Sequence, residues 1–269
     1  EPKYVNIINI FGNTRTLDKV VRRELGFAEG DPLNPELITL ATKDLQRLNI
    51  FKNIEIKENF INDEKSNIDI YLEEKPTGDF SVGASFESLD GAVFVANLNE
   101  NNIGGTGRSV SFNINTSDTN TLYSFNVKEP HFINKKMHLI YGLEYINNDY
   151  SQTSSYNLNS INSKIGVEYA LIDNLFHNIS LAYELADYEI TDSSAVSSSI
   201  LSSEGTNSVI KISNLLQYNK LNSFLRPTQG YLIRLSSILS PITNSTDGYI
   251  KNVFTGRKYL KLNKNIISI

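Results

Sequence analysis

A small α+β domain followed by an all-β antiparallel region able to cross a membrane as a barrel is the fold class the sequence predicts. Three observations predict it. Helical and strand periods mix up to "EEKPTG" at residues 73–78. Beyond that point helical signals almost vanish, and segments of about ten residues alternate apolar with polar side chains. No apolar run approaches the ~18 residues a membrane helix needs, so a membrane-spanning form must be a closed β-barrel, because lipid tolerates no unpaired strand edges. The expected domains are 1–76 and 77–269.

The first domain reads β-α-α-β-β. "YVNIINI" is a strand, followed by an "FGN" turn. Thr16 is the expected N-cap of a first helix, with Asp18 in its first turn favouring the positive end of the dipole. Leu17, Val20, Val21 and Leu25 recur at helical spacing, and Gly26 supplies the stop. Asn34 caps a second helix with Pro35 at its first position. Its apolar stripe is Leu37, Ile38, Ala41, Leu45 and Leu48. Two strands follow, 51–58 with Ile54 and Ile56 on one face, and 67–74 with Ile68, Ile70 and Leu72 toward the core.

From Gly78 the period is two. Phe80, Val82, Ala84 and Phe86 oppose Ser81, Gly83, Ser85 and Glu87; Leu143 and Tyr145 oppose Gly142 and Glu144; Ile165 and Val167 oppose Lys164 and Glu168. About ten strands are expected, near 78–87, 92–99, 107–116, 121–129, 136–147, 161–171, 177–189, 206–219, 228–239 and 248–259, with an eleventh from Lys264. A soluble sandwich also alternates, but with strands of typically 5–6 residues. The polar face repeats Glu, Lys, Ser, Gly and Asn, as a hydrated lumen would, and His138 belongs to it. Tyr123, Tyr145, Tyr169, Tyr231 and Tyr249 fall near strand ends as an interfacial girdle. Two long polar connections, 147–160 and 191–205, share one end of the strands, with shorter turns at the other.

Composition excludes several function classes. The net charge is −5, with 25 basic and 30 acidic residues spread evenly, so there is no basic footprint for nucleic acid. Cysteine is absent, which removes disulfides and thiolate metal sites. "GGTGRS" is not a phosphate loop, because Arg108 stands where Lys is required and Asn102 where Gly is. His131, His138 and His177 lack ligand spacing, and no nucleophile elbow occurs. The sequons at Asn115, Asn178 and Asn244 are chance matches in an Asn- and Ser-rich chain. No catalytic constellation is found, and neither enzyme activity, cofactor nor metal is expected.

"GNTRTLDKVVRREL", "EGDPLNPELITLATKDLQRLNIFKNIEI" and "IDIYLEEKP" together resemble a POTRA domain, a periplasmic module of barrel-assembly proteins. "TGDFSVGASF", "NNIGGTGRSVSFNI", "YSFNVKEPHFI" and "LRPTQGYLIRLSS" resemble, in order, early barrel strands of the BamA-like family of outer-membrane protein assembly factors. His131 departs from the pattern, where the family more often has an aromatic residue. The resemblance implies an N-terminal part of a barrel, about ten strands of sixteen, since the chain stops inside the apolar run "NIISI".

The resemblance further implies that the protein folds and inserts other barrel proteins into the bacterial outer membrane, with the POTRA domain in the periplasm. The family's first barrel strand pairs weakly with its last, leaving backbone groups for a client strand. Here that strand is Gly78, Asp79, Phe80, Ser81, Val82, Gly83, Ala84, Ser85, Phe86 and Glu87, and Gly78, Gly83 and Ala84 make it pliable or fit its curvature. The outer POTRA strand (Phe51, Lys52, Asn53, Ile54, Glu55, Ile56 and Lys57) is the expected site for unfolded outer-membrane clients or periplasmic accessory lipoproteins. Outer-membrane lipid is the remaining partner. The alternatives are a two-partner-secretion or translocation-and-assembly paralogue exporting polypeptide, and an outer-membrane phospholipase, which needs a Ser/His pair that the strand faces do not offer.

Overall fold

The computed structural model describes residues 3–134, 136–223, 226–241, 248–262 and 265–268. Asn244, Lys264 and Ile269 lie outside the described residues. The chain divides into two compact units, 1–80 with 98–110, and 81–97 with 111–269.

The first unit opens with β1 (Lys3–Phe11), α1 (Asp18–Arg22), β2 (Pro32–Leu33), α2 (Pro35–Arg47), β3 (Phe51–Phe60) and β4 (Lys65–Glu74). The sheet order is β2-β1-β4-β3, with β1 parallel to β4 and the other pairs antiparallel. The expected three strands are joined by a fourth, the two-residue β2, which pairs Lys3 with Leu33 and Tyr4 with Pro32. Val5, Ile8, Val20, Val21, Leu25, Ala41, Leu45, Ile50, Ile68 and Ile70 form the core, so one face of the sheet carries both helices. Asn34 caps α2 as expected, its side chain accepting from the Glu36 N–H at 2.9 Å.

Thr16 does not cap α1. Leu17 takes the N-cap position with no side-chain bond. The Thr16 N–H is held by Glu74 and its hydroxyl by Asn102, so neither is available to the helix.

Eleven strands follow: β5 (Gly78–Glu87), β6 (Gly91–Glu100), β7 (Ser109–Thr116), β8 (Asn120–Glu129), β9 (Met137–Asp149), β10 (Tyr156–Ile172), β11 (Leu175–Ile190), β12 (Gly205–Asn219), β13 (Gly230–Ser240), β14 (Tyr249–Leu262) and β15 (Asn265–Ser268). They form one meander in which each strand pairs with its neighbours in sequence, from β5 at one edge to β15 at the other. Every expected strand is present, and several are longer than the alternation suggests.

The largest difference is at 147–160, expected as a long polar loop. β9 continues to Asp149 and β10 starts at Tyr156, leaving a turn with a single helical turn at Ser151–Ser154. Polar side chains there pair across the hairpin instead of leaving it. Asn147 Nδ2 donates to Asn159 Oδ1 at 2.6 Å, and the Tyr150 and Tyr156 rings lie 5.0 Å apart. The connection 191–204 remains long, as expected.

The faces are inverted relative to a water-soluble sheet. Leu143, Ile161, Ile165, Leu181 and Tyr183 are exposed, whereas Ser124, Ser160, Ser180, Ala182 and Ala186 are buried. Pairing keeps the faces separate: Ile161 lies opposite Leu185 and Ile165 opposite Leu181, while Asn162 meets Glu184 and Gly166 meets Ser180. On the polar face Lys128 pairs with Glu168 at 2.9 Å and Lys211 with Glu184, and His138 lies opposite Glu168. Large apolar side chains outward and paired charges inward are the arrangement of a barrel that meets lipid outside and water inside.

Candidate functional site: two free strand edges and a pinned turn

β5 is an edge strand, with β6 its one strand neighbour among the described residues. None of its ten residues is buried. Phe80, Val82 and Phe86 project from the apolar face, Phe80 at 67% and Phe86 at 81% exposure. On the other face Asp79 and Ser81 are tied to β6 by Asn99 (2.9 Å) and Asn97 (3.2 Å). Gly83, Ala84, Ser85 and Glu87 make no side-chain bond of this kind among the described contacts. A Cβ built on Gly83 would meet nothing within 4 Å, so close packing does not explain the glycine. At Gly78 a Cβ would lie 2.9 Å from the Glu100 carboxylate, a side chain able to move aside.

β3 is the edge of the smaller sheet. Phe51 is buried, and Ile54 and Ile56 pack partly against the core. Lys52 reaches Glu73 at 2.7 Å, a contact that raises the Lys52 pKa, and Lys57 sits 3.2 Å from Glu55. Asn53 follows an irregularity in the pairing with β4. Both strands singled out from the sequence therefore present an unpaired backbone edge among the described residues, each flanked by charge that blunts it.

The sequence gives no sign of a third feature. Residues 101–108, between β6 and β7, are pinned to the turn that precedes α1. Asn102 is buried; its Nδ2 donates to Thr16 Oγ1 at 2.9 Å, and its Oδ1 accepts from the Gly107 N–H at 2.7 Å. The Leu17 N–H donates to the Gly105 carbonyl at 2.9 Å. Gly105 has φ +71°, and a Cβ there would fall 1.9 Å from the Arg15 carbonyl oxygen, so only glycine fits. Glu100 accepts from the Asn102 N–H and the Thr77 hydroxyl.

Glu74 organises the facing turn. Its carboxylate accepts from the Thr16 N–H at 2.7 Å, the Arg15 N–H at 3.0 Å and the Thr14 hydroxyl at 2.9 Å. Burial alone would raise this carboxyl, but the hydrogen bonds from Thr16, Thr14 and Arg15 outweigh it and hold the pKa at about 2. Among the described residues no group of His, Asp and Glu is placed to hold a metal ion.

The Omp85 superfamily domain matches residues 102–269, and the POTRA module described as a surface antigen variable number repeat matches residues 3–75. The chain is 27% identical over 231 residues to the outer membrane protein assembly factor BamA of Neorickettsia risticii (strain Illinois), covering 86% of this chain and 31% of that protein. It is 30% identical over 131 residues to BamA of Neisseria meningitidis serogroup B, covering 48% and 16%. The chain thus spans a third or less of these curated relatives.

Among solved structures it is similar to BamA from Haemophilus ducreyi lacking POTRA domains 1–3 (TM-score 0.78, 20% identity, 99% of this chain and 54% of that one). It also resembles CdiB from Acinetobacter baumannii in fold (TM-score 0.62, 13% identity, 98% and 51%). The POTRA domain is periplasmic and the Omp85 barrel strands belong to the bacterial outer membrane. The chain belongs to the Omp85 superfamily, as a BamA-like member in which a POTRA domain leads into barrel strands.

Proposed function

We propose that this protein assembles and inserts β-barrel proteins into the bacterial outer membrane, with β5 as the strand on which a client strand is templated. The observation that carries this reading is the edge itself: ten residues with no buried side chain and, among the described residues, one row of backbone donors and acceptors with no strand partner. A strand in that state binds by β-augmentation, in which main-chain hydrogen bonds supply affinity and side chains only tune register. Such a reaction exchanges one set of strand pairings for another and requires neither a catalytic group nor a cofactor. The POTRA edge β3 is the proposed receiving site for clients or periplasmic accessory lipoproteins.

A proline scan from Asp79 to Glu87 tests the role of β5. Proline removes one N–H and fixes φ, so client assembly should be lost at alternate positions only, those whose N–H faces away from β6. Val82→Ile should be tolerated. A uniform response along the strand would contradict templating by backbone donors.

Export of polypeptide through the lumen, as in a two-partner-secretion or translocation-and-assembly paralogue, is the second reading. The fold that the chain shares with CdiB from Acinetobacter baumannii and CdiB from Escherichia coli, at TM-scores of 0.62 and 0.67, is compatible with it. It places the client along polar-face residues such as Glu168 and Glu184 instead of at β5.

A further inference from the structure

β12, β13 and β14 contain no Asp or Glu, in a chain whose net charge is −5. Their cations divide between the two faces. Lys211, Arg234, Lys251 and Arg257 lie on the polar face. Lys258 lies on the lipid-facing side, directly opposite Tyr231. Lys220 continues the same row beyond Tyr231, its N–H donating to the Tyr231 carbonyl at 2.9 Å. All three side chains are exposed, and among the described residues neither lysine has an ion-pair partner.

The row is fixed at the base of the β12–β13 connection. Gly230 has φ +105°, and a Cβ there would fall 2.0 Å from the Lys220 carbonyl oxygen, so only glycine lets the two segments close here. Asn222 ties the connection, its Oδ1 accepting from the Thr228 and Gln229 N–H groups at 3.0 Å. Tyr218 stacks on Tyr231 with the rings 5.5 Å apart.

Topology and composition set the depth. β13 begins on the same side as β5, because neighbouring strands of the meander are antiparallel. β5 begins just past the periplasmic POTRA domain, so this end of β13 is the periplasmic one. Tyr218 and Tyr231 mark the level at which aromatic rings bound the apolar band, and Ile233, Leu235 and Leu239 follow from Tyr231 into it. The other end of the lipid-facing side carries Asn147, Asn159, Asp187 and Thr206 in place of lysine. A tilt near 40° staggers Lys220 and Lys258 by about 6 Å in depth. Lysine stems span that distance by extending along apolar surface toward the headgroups.

We infer that Lys220, Tyr231 and Lys258 form a site for the phosphodiester of an anionic phospholipid in the periplasmic leaflet. The position decides what covers the row: lipid surrounds this side of the strands, and at this depth lipid presents headgroups. Two ammonium groups and a phenol hydroxyl give phosphate oxygens charge-assisted and neutral donors. With no carboxylate on these strands, nothing answers the amine of a zwitterionic headgroup, so a glycerol-headed lipid binds in preference to an ethanolamine-headed one. The site is independent of whether a client pairs with β5 or passes through the lumen.

Native mass spectrometry of the full-length protein in detergent, titrated with dioleoylphosphatidylglycerol, reads retained lipid directly. Lys220→Gln and Lys258→Gln should each weaken binding about fivefold, and the pair together by about the product. Lys220→Arg/Lys258→Arg should bind as the parent does. Lys251→Gln/Arg257→Gln removes the same charge from the polar face and should leave binding unchanged. Dioleoylphosphatidylethanolamine should bind the parent more weakly, and millimolar inorganic phosphate should not displace the glycerol lipid. Equal losses from the two Gln pairs would reduce the attraction to net charge and overturn the site. Unchanged binding by Lys220→Gln/Lys258→Gln, equal affinity for the two lipids, or displacement by phosphate would overturn it as well.

Discussion

Replacing Glu74 by Gln should loosen the turn on which residues 101–108 rest, and the structure sets the size of the effect. The carboxylate is 5% exposed and accepts three hydrogen bonds at 2.7–3.0 Å from Thr14, Arg15 and Thr16. Its fall from an ordinary 4.5 to about 2 corresponds to about 3 kcal/mol of stability at neutral pH. Gln keeps one acceptor oxygen and loses the charge, so a loss of about 2 kcal/mol is expected. The sign in pH is fixed by the direction of the change. A carboxyl that titrates lower when folded stabilises fully above about pH 4.5, and that contribution drains away as pH falls toward 2.

Pulse proteolysis of the full-length protein in a urea series, read as cleavage within residues 3–75, measures it. The parent should exceed Glu74→Gln by about 2 kcal/mol at pH 7, with the gap closing as pH falls below 4.5. Equal midpoints at pH 7, or a gap as large at pH 3 as at pH 7, would refute the assignment of Glu74 as an ionised anchor.

Other substitutions probe different links. Gly105→Ala combines a positive φ of +71° with a Cβ 1.9 Å from the Arg15 carbonyl oxygen; it should cost at least ~1–3 kcal/mol and raise amide exchange at Leu17, which donates to Gly105. Leu143→Arg or Val167→Arg should cost ~2–4 kcal/mol when the barrel is unfolded from lipid vesicles, whereas Glu144→Gln and Glu168→Gln should cost much less. Equal penalties on the two faces would mean the lipid and lumen sides are misassigned. Asn34→Ala removes the 2.9 Å cap bond to Glu36 and should lower POTRA stability by about 1 kcal/mol in the same proteolysis assay.

Much of this was legible in the sequence, because period and position carry it. Strict alternation, as in Ile165-Gly166-Val167-Glu168, can satisfy only a two-faced strand, and the β5 limits were read at Gly78 and Glu87. Asn34-Pro35 announces a helix start by local chemistry alone. What escaped depends on partners distant in sequence. Thr16 has the composition of a cap, yet Asn102, 86 residues away, takes its hydroxyl. Residues 147–160 read as a loop because Asn and Ser are common in turns; the cross-strand Asn147–Asn159 bond that makes them a hairpin has no local signature. Residues 101–108 form a tight turn, but the surface they pin could not be inferred from glycine spacing.

Site-directed cross-linking along β5 is the most direct test of strand templating. Single cysteines placed at successive positions from Asp79 to Glu87, in a chain with none of its own, would be oxidised against cysteines in the last strand of a stalled client. The account predicts cross-links in one fixed register, each β5 position meeting one client position. Cross-links that arise only from polar-face positions on later strands, such as Glu168 or Glu184, would contradict it and place the client in the lumen.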